Sequence, residues 1–322
     1  MDVVHITADR IEEHPAAPLD TLLAGADGVV WVDMTGPTDA DVAVLRDVFH
    51  FHPLAIEDAT HREQRPKIDE YGSYIFLTVH VPEAGLASGG DVVLDEIDIF
   101  AGSGYVVTVH AQAAAVLTAA LARLQRAPGI LRPFADFVLY TIVDGCVDTY
   151  FPIIDDLDDV LDGIEDRLLA SPTPETLHQL FTSKQALIHL RRVAAPLRDL
   201  FNTLTRRDLP FLRPQIQVYF LDVYDHLLRI TDMVDTQRDL VAGAMDIYLS
   251  AVNNRLNENV SRLTVITAAL ALASFVTGLY GMNFARLHPD VAWPYGFWFA
   301  LGLIGVLVGT MVWAFRRLKW IG

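Results

Sequence analysis

Cysteine is almost absent from this sequence: Cys146 stands alone, which excludes an intrachain disulfide and suits a reducing compartment. The opening MDVVHITADRIEEHPAAPLD lacks the basic start and apolar run of a secretory leader, so none is expected. No Walker-type GxxxxGKS/T occurs, and no ATP-driven step is expected. Basic residues are scarce, 24 Lys and Arg against 41 Asp and Glu, and the formal net charge of −17 argues against a nucleic-acid partner. Charge of either sign is missing altogether from residues 263–280 and 295–315.

Those two runs are long enough to cross about 30 Å of hydrocarbon, and neither shows the polar face of a soluble core helix. They predict two C-terminal transmembrane helices in a multi-pass protein of the cell (inner) membrane, with the lipid bilayer as its first partner. Arg255 and Arg262 precede the first run, and Arg316, Arg317 and Lys319 follow the second. The segment between them offers only Arg286, so both termini are expected in the cytoplasm. Trp293, Trp298, Trp313 and Trp320 lie near the ends of the second run, where indoles favour the headgroup level.

Residues 1–131 read as an α/β domain. GVVWVDM from Gly28, YIFLTVHV from Tyr74, VLDEIDIF from Val93 and YVVTVH from Tyr105 are strand-like, AGSG at 101–104 is a hairpin turn, and DADVAVLRDVF from Asp39 is helical. Residues 132–213 read as helical, with a first stretch from Phe134 to about Leu169, the turn SPTP at 171–174, and a second helix from Pro174. Residues 214–280 contain only one proline, Pro214, and predict one long helix that includes the first span at 263–280. An extracytoplasmic loop at 281–294, the second span at 295–315 and a basic tail at 316–322 complete the chain.

The first helical stretch carries Asp136, Asp144, Asp148, Asp155, Asp156, Asp158, Asp159, Asp162, Glu165 and Asp166. This run reads either as a solvated helix face or as a surface that enriches cations near the membrane.

One seam of the long helix is unusual. Asn257, Val260, Thr264, Thr267, Ala271, Ser274, Gly278 and Gly281 recur every three and four residues, a seven-residue repeat of small or hydroxylic side chains. Bulk falls on Leu263, Ile266, Leu270, Leu272, Phe275 and Val276. Two readings stand: close packing of membrane helices, or a pore with the seam turned inward. Beyond Gly281, which allows a sharp turn, stands Asn283. A ring of its side-chain amides would offer carbonyl oxygens to a hydrated Mg2+ without stripping its water, whereas Zn2+ would seek the His or Cys that the seam lacks.

YGMNF after the first of two C-terminal spans, followed by a basic tail, resembles the CorA family of divalent-cation channels, whose signature is Gly-Met-Asn. HPLAIEDATHREQRPK from His52, VYFLDVYDH from Val218 and DIYLSAVNNRLNE from Asp246 extend the resemblance over nearly the whole chain. It implies a funnel-shaped homopentamer with Gly281, Met282 and Asn283 as the selectivity filter and Asn257 near the cytoplasmic end of the pore. It further implies Val260 and Leu263 as hydrophobic gate positions, and Asp222 as a ligand of regulatory Mg2+ held between subunits, with Glu83 as its nearest partner candidate. Mg2+ is then both cargo and regulator, with Co2+ and Ni2+ as further cargo, and neither an organic cofactor nor enzymatic activity is expected. The chain departs from the family in having only Asp290 soon after Gly-Met-Asn, and Val260 and Ala271 where larger methionines are common. Closure then rests more on Leu263. The alternative is proton-coupled Zn2+ uptake of the ZntB branch, which usually replaces the Met that this chain keeps at Met282. A metal-enzyme reading would draw on His50, His52, Asp58 and His61, and a third would make the chain a membrane-anchored sensor whose seam only packs the oligomer.

Overall fold

The computed structural model describes the chain apart from residues 14–17, 26, 62–63, 84–91, 128, 130, 171, 207–211, 282–294 and 318–322. It divides into two units, Met1–Met245 and Asp246–Gly322.

In the first unit the strands β1 (Asp2–Ile6), β2 (Ile11–Glu13), β3 (Val29–Thr35), β4 (Lys67–Glu70), β5 (Tyr74–Pro82), β6 (Leu94–Gly102) and β7 (Tyr105–His110) form one sheet in the order β2-β1-β3-β7-β6-β5-β4. Only β3 and β7 pair in parallel. The four strand-like runs read in the sequence are β3, β5, β6 and β7, the centre of the sheet. The strands β1, β2 and β4 escape a pattern search because DVVHI, IEE and KIDE are short and carry polar residues; β2 and β4 are the outer strands, where charge discourages further pairing.

Helices α1 (Leu19–Ala24), α2 (Asp39–Asp47), α3 (Pro53–Thr60) and α4 (Ala115–Arg126) accompany the sheet, and α5 (Ala135–Asp148) packs against β3, β5, β6 and β7. Strand residues alternate between faces, so Val30, Val32 and Met34 of β3 join Leu45 of α2 and Ala55 of α3 in one core. Phe51 stacks on Phe100 there, with ring centroids 4.1 Å apart. Gly28 holds φ 92°, and a Cβ at that position would lie 2.3 Å from the Ile6 carbonyl oxygen, so the entry to β3 admits only glycine.

The stretch read as one helix from Phe134 is broken at Thr149 into α5 and α6 (Tyr150–Ala170). Pro152 cannot donate to the carbonyl of Asp148, and Thr149 Oγ1 instead donates to Cys146 O at 2.6 Å. After α7 (Pro174–Leu204) and a short 3-10 turn, α8 (Gln217–Gly281) runs unbroken for 65 residues into the second unit. The second unit also holds α9 (Gly296–Arg317).

Burial separates the apolar helices. The α5–α6 region is apolar enough to span a membrane, but 72% of its apolar window is buried inside the protein; for α8 that share is 11% and for α9 it is 0%. Phe297, Trp298, Val306 and Trp313 of α9 are exposed, as are Ile266, Leu270 and Phe275 of α8. Apolar surface of this extent has no place in water and suits a bilayer, whereas α5 is the centre of a soluble core.

Candidate metal centre and pore seam

The acidic run is not one solvated face. Asp136 is buried, and its carboxylate accepts from the Arg213 backbone N–H at 3.0 Å and from the guanidinium through Nε at 2.8 Å and Nη2 at 2.6 Å. Asp144 is buried as well and accepts through Oδ2 from Arg123 Nη1. Asp155, Asp156, Asp159 and Asp162 do face water. The turn ahead of α8 and the α4 arginine thus convert two apparent surface acids into core ion pairs.

Asp144 and Asp148 are four residues apart on α5 and share a face, and Asp222 and His226 repeat that spacing on α8. The two faces meet. His226 Nδ1 lies 3.6 Å from Asp148 Oδ1 and 3.9 Å from Asp144 Oδ1, while its Nε2 lies 4.0 Å from Asp222 Oδ1. Ligand atoms of Asp144, Asp148 and His226 all fall within 4.8 Å of one another. Asp144 Oδ1 and His226 Nδ1 are buried and have no hydrogen-bond partner among the described residues. Orphaned buried polar atoms are costly, and a cation among them would remove that cost. Burial, and then the Asp144 charge, raise the Asp148 pKa; His226 works against both. Octahedral Mg2+ at its usual bond length sets neighbouring ligands about 3 Å apart, so edges of 3.6 and 3.9 Å at His226 Nδ1 leave room for an ion that keeps part of its water. The imidazole adds a donor that Co2+ and Ni2+ accept readily.

On the apolar part of α8, Asn257, Val260, Leu263, Thr264, Thr267, Ala271, Ser274, Gly278 and Gly281 are all exposed on the single chain, while Val265 and Val276 are buried. The seam therefore lies open along its length. Thr264 Oγ1 donates to Val260 O and Thr267 Oγ1 to Leu263 O, each at 2.8 Å. With their protons committed to the helix backbone, both hydroxyls present lone pairs outward, the polarity that a cation requires.

The family model described as CorA-like Mg2+ transporter protein matches residues 26–317. The chain belongs to this family. It is 36% identical to the putative metal ion transporter YfjQ of Bacillus subtilis, over 88% of this chain and 87% of that protein. It is 30% identical to the cobalt/magnesium transport protein CorA of Thermotoga maritima, over 100% of this chain and 92% of the relative. The solved structure of the CorA magnesium transporter from Methanocaldococcus jannaschii has the same fold, with a TM-score of 0.83 at 23% identity over 100% of this chain and 99% of that one. The protein is a membrane transporter of divalent cations of the CorA type, and its N-terminal α/β domain, long helices and apolar C-terminal pair are the architecture of that family.

In this CorA-type chain Gly281 closes α8, and Met282 and Asn283 lie outside the described residues. Glu83 follows β5, where its N–H donates to Val93 O at 3.0 Å, and it lines a cavity of about 460 Å3 with Asp95 and Gln112. No ion pair or hydrogen bond joins it to Asp222 within one chain, among the described residues. The histidines and aspartate of the metal-enzyme reading are each engaged separately. His52 Nδ1 accepts from Leu54 N at the start of α3, Asp58 pairs with Lys67 at 2.5 Å, and His61 Nδ1 lies 3.0 Å from Glu57 O. Asp144, Asp148 and His226 were missing from the site residues read in the sequence. Two matched signals could have found them: DxxxD in DGCVD and DxxxH in DVYDH put paired ligands on one face of each helix.

Proposed function

We propose that this protein is a homopentameric Mg2+ channel of the cell membrane, with both termini in the cytoplasm, that admits hydrated Mg2+ down the membrane potential. One observation carries the reading. In a CorA-type chain the long helix presents an exposed seam of small and hydroxylic residues with hydroxyl lone pairs free, and several copies of it would enclose a narrow, oxygen-lined path. The filter is Gly281, Met282 and Asn283; Asn257, Val260, Thr264, Thr267, Ala271, Ser274 and Gly278 line the path below it, and Leu263 closes it. An interior-negative potential contributes about 2.3 kcal/mol per charge per 100 mV, hence about twice that for a divalent ion, and no further energy source is required.

Internal Mg2+ acts at the centre on α5 and α8. With the ion present, Asp144, Asp148 and His226 hold the two helices together, with Asp222 beside the other ring nitrogen; without it the carboxylates repel and α8 is released. In the pentamer Asp222 would bind Mg2+ shared with a neighbouring subunit, with Glu83 as the nearest candidate there, so the same ion load would hold the ring symmetric and the path shut.

The test is ion entry into liposomes containing the purified protein under an imposed interior-negative potential, with Mg2+ or Zn2+ outside and Asn283→Ala beside wild type. Potential-driven Mg2+ entry that disappears in the variant is expected. Zn2+ entry that follows a proton gradient would overturn the reading in favour of ZntB-like transport.

A further inference from the structure

Carboxylates outnumber cationic side chains in this protein, and many of its arginines are accordingly paired. Arg123 meets Asp144, Arg213 meets Asp136, and Arg191 meets Asp235 at 2.6 Å. Arg192, next to Arg191 on α7, behaves differently. It turns with His189 and Val193, three residues before it and one after, toward the β4 edge of the sheet, where Arg65 precedes β4 and His80 lies on β5. These residues line one cavity of about 530 Å3, with Val92 and Leu94 at the entry to β6 forming an apolar wall. No carboxylate is among the lining residues described, and neither Arg65 nor Arg192 forms an ion pair among the described residues.

Glu96, which touches two of the lining residues, is already engaged. Glu96 Oε2 accepts from Gln64 N at 3.0 Å and lies 3.8 Å from His80 Nε2. Burial holds the His80 pKa below its ordinary value, so this ring adds no positive charge at neutral pH. The cationic character of the cavity comes from the two guanidinium groups. Planar, permanently charged and multiply donating, they match the oxygens of a phosphate group better than any other side chain does.

Volume and the second wall narrow the ligand further. A space of about 530 Å3 is far larger than one phosphate and falls within the range of small-molecule sites. Val92, Leu94 and Pro66 add apolar lining beside the arginines, so the cavity offers both kinds of contact. We propose that the cavity between α7 and the β4 edge binds a nucleoside polyphosphate, with Arg65 and Arg192 on the phosphates and the base against the Val92–Leu94 wall. The site is separate from the cation centre on α5 and α8 and shares no residue with it. Its occupation is independent of the transport reading.

The experiment is calorimetric titration of ATP, and separately of inorganic pyrophosphate, into the detergent-solubilised full-length protein in EDTA, which keeps divalent cations out of the readout. Both arginines are exposed, so Arg65→Ala and Arg192→Ala leave the core untouched. Saturable ATP binding is expected, weakened about tenfold or more in the double variant, with Arg→Lys at both positions retaining part of it. Lys184→Ala, an exposed cation on α7 outside the cavity, is expected to bind as wild type does. Absence of saturable ATP binding in the millimolar range, or an unchanged affinity in the double alanine variant, would overturn the proposal. Pyrophosphate binding as tight as ATP would overturn the assignment of the apolar wall to a base.

Discussion

Asp144 Oδ1 and His226 Nδ1 face each other across α5 and α8 at 3.9 Å, both buried and neither hydrogen-bonded among the described residues. The second oxygen of Asp144 is held by Arg123, which fixes the carboxylate and leaves the first oxygen directed at the α8 histidine. Two polar atoms held close without a proton shared between them are arranged to receive a third party.

Cations should therefore stabilise the folded protein measurably. A ligand present at about 100 times its dissociation constant adds about 2.7 kcal/mol. Thermal unfolding in EDTA, in Mg2+ and in Co2+ should show a rise in Tm with either ion. Asp148→Asn is expected to remove most of both shifts, whereas His226→Ala should keep the Mg2+ shift and lose the greater part of the Co2+ shift. Equal loss for the two ions in His226→Ala would show that the imidazole does not discriminate between them.

Internal control of flux should follow the same residues. Asp222→Asn is expected to weaken closure by Mg2+ loaded inside liposomes, moving the inhibiting concentration up by about tenfold, the change that about 1.4 kcal/mol of lost binding produces. An inhibition curve that superimposes on wild type would remove Asp222 from the regulatory centre.

The seam can be probed without touching charge. Thr267→Val keeps the volume and removes the outward oxygen, so Mg2+ entry should fall several-fold while the oligomer persists in detergent. Gly278→Leu places bulk where the seam is narrowest in side chain and should abolish entry. Full flux through Gly278→Leu would favour a seam that only packs helices.

Arg213→Ala is expected to be severely destabilising. The Asp136 side chain is 1% exposed and would keep a buried negative charge with its guanidinium removed. Breaking one side of such a pair costs about 3–5 kcal/mol. Adding Asp136→Asn should restore part of the loss in chemical unfolding, because the neutral amide carries no stranded charge.

Asp98 sets a pH dependence on stability. Burial pushes its pKa up to about 8, against the Thr78 hydroxyl that donates to it at 2.6 Å. The folded state keeps the proton where the unfolded chain has released it, so the stabilising contribution is complete below about pH 4 and is lost as pH rises through about 8. The Tm of wild type should fall across that window relative to Asp98→Asn, whose amide mimics the neutral acid throughout. Parallel pH profiles for the two proteins would assign the dependence elsewhere.

The membrane segments and the seam were legible without any structure because lipid imposes its demands locally. A span needs an uncharged run of sufficient length, and a shared helix face needs a repeat near seven, both of which are properties of consecutive residues such as 263–280 and Asn257 to Gly281. The central strands were legible for a similar reason, since β3, β5 and β7 are near-continuous runs of β-branched and aromatic residues and β6 ends in one. What consecutive residues could not decide was the fate of the acids on α5. Asp136, Asp144 and Asp148 look alike in the chain, yet Arg213 neutralises the first, Arg123 the second on one oxygen only, and the third is left half-open beside His226. The same limit applies to Arg191 and Arg192, adjacent in sequence, one held by Asp235 and the other left to a cavity. Whether a charge is solvated, paired or kept for a ligand depends on what the fold brings against it from far along the chain, and only tertiary packing sets that.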